Sequence, residues 1–306
     1  MYPLIAVVGP TGSGKSTLAL RLATSFHGEI VNCDSVQVYT GLNIGSAKTP
    51  ESERLGIPHH LLDVIPPNSE MTAGDYARKA RLALQMIRER GGLPVIAGGT
   101  GFYLRALLHG LSPAPKRNAE LRERLATLAH RRPAALHRFL RKQDPAAADR
   151  IHPNDHQKLI RAIEIVGQGN AARHGLEGFR VLKIGLNPHR AAVYVKLNQR
   201  CRWMFENGLL EETQSLLTNG IPPSAKALAT LGYRQALSVL TQGTSIEDAI
   251  SDCQLCTRRY AKRQITWFRA EPDVNWLTGF GNEERIQEEA ESQVRLILSS
   301  KPLQIP

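Results

Sequence analysis

Leu4-Ile5-Ala6-Val7-Val8, followed without interruption by Gly9-Pro10-Thr11-Gly12-Ser13-Gly14-Lys15-Ser16, decides how this chain is read. Five consecutive apolar residues predict a strand buried on both faces. The next eight satisfy the full G-x-x-x-x-G-K-[ST] pattern of a phosphate-binding loop. Glycines at 9, 12 and 14 allow turns closed to other residues, so successive backbone N–H groups converge on one anion. From Ser16 to Ser25 the apolar positions Leu18, Leu20, Leu22 and Ala23 predict a helix. Its N-terminal partial positive charge points at the same anion. Lys15 adds a full charge, and the Ser16 hydroxyl suits a magnesium ion (Mg2+) bridging phosphate oxygens. The alternative, a glycine-rich turn that only joins strand to helix, is opposed by strand, loop and helix standing in the required order. The expected fold is α/β, a P-loop NTPase-like parallel sheet core flanked by helices.

At 306 residues the chain can bury a real core, and its length suggests about two domains. No run approaches the roughly 18 apolar residues of a membrane span, and the N-terminal run is a strand rather than a signal peptide. Four cysteines (Cys33, Cys201, Cys253, Cys256) are too few and scattered for a disulfide framework, which predicts a reducing cytoplasm. Cys253 and Cys256 form one C-x-x-C without a second pair, so small residues on a helix are favoured over a zinc or redox centre. The net charge of +11 is uneven. Residues 111–165 hold 12 basic against 6 acidic residues and 251–270 hold 5 against 1, while the tail 271–306 is acidic. One basic run is usually a solvated face, but two in a phosphate-binding protein point to nucleic acid.

Glu29 to Cys33 reads as a second strand, ending at Asp34-Ser35-Val36-Gln37-Val38-Tyr39. Functional groups gather at the carboxyl ends of strands in such sheets, which aims Asp34 at the phosphate loop. An ordinary turn cap is the competing use of Asp-Ser. Residues 40–70, rich in turn formers, form a long loop of the kind that is often functional. Neighbouring His59 and His60 would face opposite sides of a strand and read as structural or substrate-loop residues, not metal ligands. A helix follows from Gly74 to Arg90, then a strand from Leu93 to Ala97 that ends in Gly98-Gly99-Thr100-Gly101. Nucleotide-hydrolysing P-loop proteins usually present an Asp at this point. Two glycines and a neutral hydroxyl imply close backbone approach to a ligand instead.

Pro113 and Pro115 mark a change of composition, and 118–168 is helical with breaks at Pro133, Pro145 and Pro153. The expected organisation is a core of 1–113 and 179–306 with a mostly helical insertion at 114–178. Within the insertion, Asn154-Asp155 is a capping signal, and Gln157 and Arg161 share a face at i, i+4. Gly167, Gly169 and Gly175 mark a flexible exit, and Arg180 to Leu186 is a strand rejoining the sheet. The remainder reads as helices: one through Arg200 to Gly208, one from Leu209, one around Gly232–Leu237 and one from about Ser245 to Ala270. On the last, Arg258, Arg259, Lys262 and Arg263 make a continuous basic stripe, with Trp267 and Phe268 as core anchors.

These stretches resemble the tRNA dimethylallyltransferases, isopentenyl transferases that modify the adenosine beside the anticodon. The resemblance is carried, in order, by the loop 9–16, Asp34 to Tyr39, Asn43 to Lys48, His59 to Asp63 and Gly98 to Tyr103. It continues through Ile151 to Asp155, Gln157 to Arg161, Gly232 to Arg234 and Thr257 to Gln264. Thr40 departs from it, standing where the family usually has Arg, and the tail beyond 277 matches nothing. The resemblance implies transfer of a dimethylallyl group from dimethylallyl diphosphate to the N6 amine of adenosine 37 in the tRNA anticodon stem-loop. It also implies release of diphosphate, dependence on Mg2+, and a cytoplasmic monomer with no membrane partner.

Asp34 and Thr100 are then the catalytic pair, one accepting a hydrogen of the amine and the other holding it. Arg200 joins residues 9–16 as a diphosphate ligand. Contacts to tRNA are implied for Asp34, Ser35, Val36, Gln37, Thr100, Gly232, Tyr233 and Arg234. In the insertion they are implied for Arg122, Gln157, Lys158, Leu159, Ile160 and Arg161. The chemistry fits the residues: an allylic diphosphate reacts by losing a charged leaving group, and a conjugated exocyclic amine needs a base to attack. An anticodon loop makes extrusion of the base cheap. Three alternatives remain: a P-loop small-molecule kinase with ATP in the loop, a noncatalytic RNA-binding ATPase, and prenyl transfer to free AMP or ATP. The missing strand-end Asp opposes the first, idle Asp34 and Thr100 the second, and the basic surface the third.

Overall fold

The structure, a computed structural model, describes residues 1–111, 118–166 and 174–299. The chain forms two compact units, one of 1–110 with 175–306 and one of 111–174. The boundaries expected from sequence, 113/114 and 178/179, stand three or four residues later. Pro113, Pro115, Gly167 and Gly169 lie outside the described residues.

The larger unit is built on six strands: β1 (Tyr2–Val8), β2 (Gly28–Asn32), β3 (His59–His60), β4 (Leu93–Ala97), β5 (Phe179–Leu186) and β6 (Val274–Leu277). Their order is β3-β2-β4-β1-β5-β6, and every pairing is parallel. The chain also forms α1 (Lys15–Ser25), α2 (Ala73–Glu89) and α3 (Gly101–His109). The smaller unit holds α4 (Ala119–Arg131), α5 (Ala135–Gln143), α6 (Pro145–Arg150) and α7 (His156–Ile165). Back in the larger unit follow α8 (Arg190–Glu206), α9 (Leu209–Thr218), α10 (Tyr233–Gln242), α11 (Ile246–Arg269) and α12 (Glu284–Ser299).

Strand alternation explains why β1 is apolar throughout. Leu4, Ala6 and Val8 pack with α2, α3 and Phe268 of α11, while Ile5 and Val7 pack with α1 and α12 on the opposite face. A third apolar cluster joins α8 to α11 with Val38, Tyr39 and Leu42 of the loop after β2. Two elements correct the sequence reading. Residues after Ala270 are not all helical, because Val274–Leu277 adds an edge strand beside β5. Four residues with a polar Asn275 carry too little pattern to signal a strand, and it forms because β5 offers its free edge. The helix α3, whose six buried positions follow directly on Thr100, also goes beyond the sequence reading. Among the described residues no helix is long and apolar enough to cross a membrane.

In the smaller unit, side-chain caps set three helix starts: Asn118 Oδ1 accepts from Leu121 N–H, Asp144 from Ala147 and Asp155 from Lys158. Leu136, Leu140 and Leu159 are wholly buried at its centre.

Candidate active site

Strand order alone brings three loops together. The strands β1, β4 and β2 are successive neighbours, so their carboxyl ends place the 9–16 loop, Gly98–Gly101 and Asp34 side by side. The phosphate loop enters α1 through Gly14, whose φ of +85° lies in the left-handed region. No side chain caps α1, and no acidic residue stands in its first turn. Its first N–H groups are thus left for an anion. Nearby, the Ser13 hydroxyl is buried without a partner.

Two cations converge on this loop, neither with a carboxylate partner among the described residues. Lys15 Nζ donates to the Pro10 carbonyl at 2.7 Å. Burial pushes its pKa down to about 8; Asp34 opposes that shift and the Arg200 charge adds to it. Arg200, from α8, donates to Thr11 Oγ1 at 2.8 Å, and its Nε is buried without a partner. Burial lowers its pKa as well, with nearby Cys201 the first of the groups opposing that shift. Desolvated cations held on neutral oxygens are poised to gain from an arriving polyanion.

Asp34 does two things at once. Its Oδ1 accepts the Val36 N–H at 2.8 Å, the turn cap weighed above, and the residue also lines a cavity of about 330 Å3 with Thr11 and Arg200. Apolar Val36, Met204 and Leu231 line the same cavity. Thr100 Oγ1 accepts the Ser35 N–H at 3.0 Å, and the Thr100 N–H reaches the Cys33 carbonyl at 3.1 Å. Burial raises the pKa of the Tyr260 phenol; the Asp34 charge adds to it, and hydrogen bonding to Thr100 partly offsets it.

Other expected contacts fall elsewhere. Tyr233 is fully buried, and its hydroxyl donates to Glu212, whose carboxylate takes the N–H groups of Asn43 and Ile44. It braces the 43–48 loop and presents no surface to a ligand. Gln37 serves the same loop, donating to the Ser46 and Ala47 carbonyls. Gly232 and Arg234 do line the cavity. In the smaller unit Leu159 and Ile160 are buried core residues, so their side chains offer little surface to a ligand. Arg122 and Arg161 share buried Glu164 at 3.1 Å each, and Lys158 pairs with Asp155, while Gln157 is exposed. The C-x-x-C does not pair within itself. Cys253 stands with Cys201 of α8 around Thr257, and Cys256 bonds Asp252. On the basic stripe Arg258 is tied to Asn198 Oδ1, and Arg259, Lys262 and Arg263 are exposed.

Two contributors escaped the sequence reading. Gln264, 5 % exposed, accepts the Thr11 N–H at 2.7 Å and donates to the Gly99 carbonyl at 2.9 Å. Its signal was present, a Gln on the buried stripe Cys253, Thr257, Ala261, Gln264, Phe268. The tail also touches the site: Gly281 N–H donates to the Ser13 carbonyl at 2.9 Å, and Glu291 of α12 pairs with Arg21 of α1.

The model of the IPP transferase family matches residues 37–271. A tRNA dimethylallyltransferase of Solibacter usitatus is 51% identical over 304 residues, spanning 97% of this chain and 99% of the relative. The chain belongs to the tRNA dimethylallyltransferase family. A second relative of that name, from Koribacter versatilis, is 51% identical and spans 94% of this chain and 96% of its own. Among solved structures, the tRNA isopentenylpyrophosphate transferase of Bacillus halodurans is 34% identical, with a TM-score of 0.75 and 97% of each chain covered. A eukaryotic dimethylallyltransferase acting on tRNA superposes with a TM-score of 0.81 at 26% identity, covering 100% of this chain and 81% of that one.

Proposed function

We propose that this member of the tRNA dimethylallyltransferase family moves a dimethylallyl group from dimethylallyl diphosphate to the N6 amine of adenosine 37 in the anticodon loop. The observation that carries the reading is a cavity lined by Asp34, Thr11 and Arg200, with Lys15 on the adjoining phosphate loop and the Thr100 hydroxyl bonded to Ser35 of its wall. Lys15 and Arg200 supply the cations, next to the uncapped start of α1; Asp34 supplies the carboxylate and Thr100 the hydroxyl. The 9–16 backbone, Lys15 and Arg200 take the diphosphate and stabilise the charge that grows on it as the allylic C–O bond breaks. The bonding electron pair leaves with diphosphate, the amine nitrogen bonds the allylic carbon, and Asp34 accepts the amine's proton. Thr100 holds the amine, and apolar Val36, Met204 and Leu231 give the five-carbon chain a dry wall.

Ser16 Oγ is exposed at the first turn of α1, and no group of three His, Cys, Asp or Glu side chains gathers among the described residues. Such a donor set fits magnesium, which takes one or two protein oxygens and completes its shell with phosphate oxygens and water. When bound there it neutralises charge on the diphosphate. The basic faces of the smaller unit and of α11 supply the phosphate contacts of an anticodon stem-loop, in a cytoplasmic, monomeric enzyme.

The deciding experiment supplies labelled dimethylallyl diphosphate with unmodified tRNA, with free AMP, or with neither. Label on tRNA adenosine is the expected result. Label on AMP, or phosphorylated product from an ATP incubation, would replace this reading.

A further inference from the structure

Donor and acceptor are held by different loops. The diphosphate end belongs to the loop after β1, and Thr100 belongs to the loop after β4. One side chain reaches both. Gln264 enters from α11, takes the Thr11 N–H on Oε1 at 2.7 Å and gives Nε2 to the Gly99 carbonyl at 2.9 Å. The fit leaves no slack: a Cβ on Gly99 would stand 2.0 Å from Nε2, so the residue before Thr100 must be glycine for the amide to seat. Thr11 in turn receives Arg200 on its hydroxyl, and Tyr260, one turn before Gln264, lines the adjoining cavity. Every bond has a required polarity, because an N–H points at one end of the amide and a carbonyl at the other.

We infer that Gln264 is a positioning residue that fixes the spacing between the diphosphate loop and the Thr100 loop, and so aligns the allylic carbon with the attacking amine. The inference rests on the roles proposed above for the two loops. A misplacement of about 1 Å between reacting groups costs on the order of 10²-fold in rate. A residue acting this way moves kcat and leaves the binding of each substrate nearly untouched.

Gln264→Glu and Gln264→Met separate spacing from bulk. Glutamate has the shape of glutamine, but as a carboxylate it sets an acceptor against the Gly99 carbonyl. Once protonated it regains one donor and one acceptor in the native places. Burial raises the pKa of a carboxyl, so part of this recovery falls within reach of neutral pH. The titratable groups in the same site are Tyr260, Lys15, Asp34 and Arg200, whose background is read from the unsubstituted protein over the same pH range. Expected for Gln264→Glu is a kcat about 10²-fold low at pH 8, KM values for donor and tRNA within about threefold, and a loss that shrinks relative to the unsubstituted protein as pH falls. Gln264→Met should keep the loss at every pH. Wild-type kcat in the Glu variant at pH 8 overturns the inference. So does an equal, pH-independent loss in both variants, or a loss carried by weaker substrate binding alone. Failure of the unsubstituted protein to prenylate tRNA is a separate result, which removes the proposed function rather than the geometry.

Discussion

The cations at the phosphate loop of the larger unit and three cations of the smaller unit are held in opposite ways. In the larger one Lys15 and Arg200 are desolvated and rest on a carbonyl and a hydroxyl. In the smaller one Arg122 and Arg161 lean on the inward-turned Glu164 carboxylate and Lys158 on the partly exposed Asp155. A cation already paired gains less from an arriving phosphate than one held on neutral oxygens, since part of its charge is compensated beforehand. The phosphate loop of the larger unit therefore suits the tight grip on one small polyanion proposed above. On the smaller one Arg122, Arg161 and Lys158 offer damped positive charge, which in the proposed reading suits a long phosphate backbone touched at many points.

The largest expected effect tests the acceptor end. Asp34→Asn keeps the cap on the Val36 N–H and removes the base, so kcat should fall about 10³-fold with the melting temperature unchanged. Near-normal turnover would return Asp34 to the role of a cap alone. Next, Lys15→Ala should lower kcat/KM for the donor by about 10²–10³-fold while leaving tRNA affinity in place.

A smaller effect is expected from Lys158→Ala combined with Arg161→Ala. Affinity for tRNA should drop several-fold, and the salt slope should shrink by less than the roughly 1.4 to 1.8 of two unpaired phosphate contacts. An unchanged slope would mean that this face does not meet RNA, and a full two-contact change would erase the contrast between the units. The smallest effect is in pH. Because burial pushes Lys15 down to about 8, its proton is lost as pH rises through that value, and donor kcat/KM should fall about twofold by pH 8 and more steeply above it. Lys15→Ala should flatten that limb, and diphosphate binding near pH 8 should take up a proton.

Much of the site was legible because its parts are local. The loop 9–16 carries its pattern in consecutive residues, and Asp34 and Thr100 follow apolar strands that announce themselves. The residues whose side chains turn elsewhere are those where an element faces two ways. Tyr233 and Gln37 sit in stretches that resemble a site, and only packing shows that both brace the 43–48 loop. Leu159 and Ile160 follow the same rule, since helix rotation aims their side chains at the core. The edge strand β6 and the Gly281 contact with the phosphate loop depend on partners far away in the chain, which no local pattern records.

The residues by themselves set a phosphate-binding pattern at the first strand end, because glycine spacing, a lysine and a helix start act over a few neighbouring positions. They also set Asp34 and Thr100 at strand ends, the placement on which the proposed chemistry rests. Only the tertiary structure decided which cations are available and which are spent, and that a single amide from α11 joins the two loops. The reason is physical: charge compensation and hydrogen-bond polarity belong to pairs of groups, and those pairs exist only once residues hundreds of positions apart are packed together.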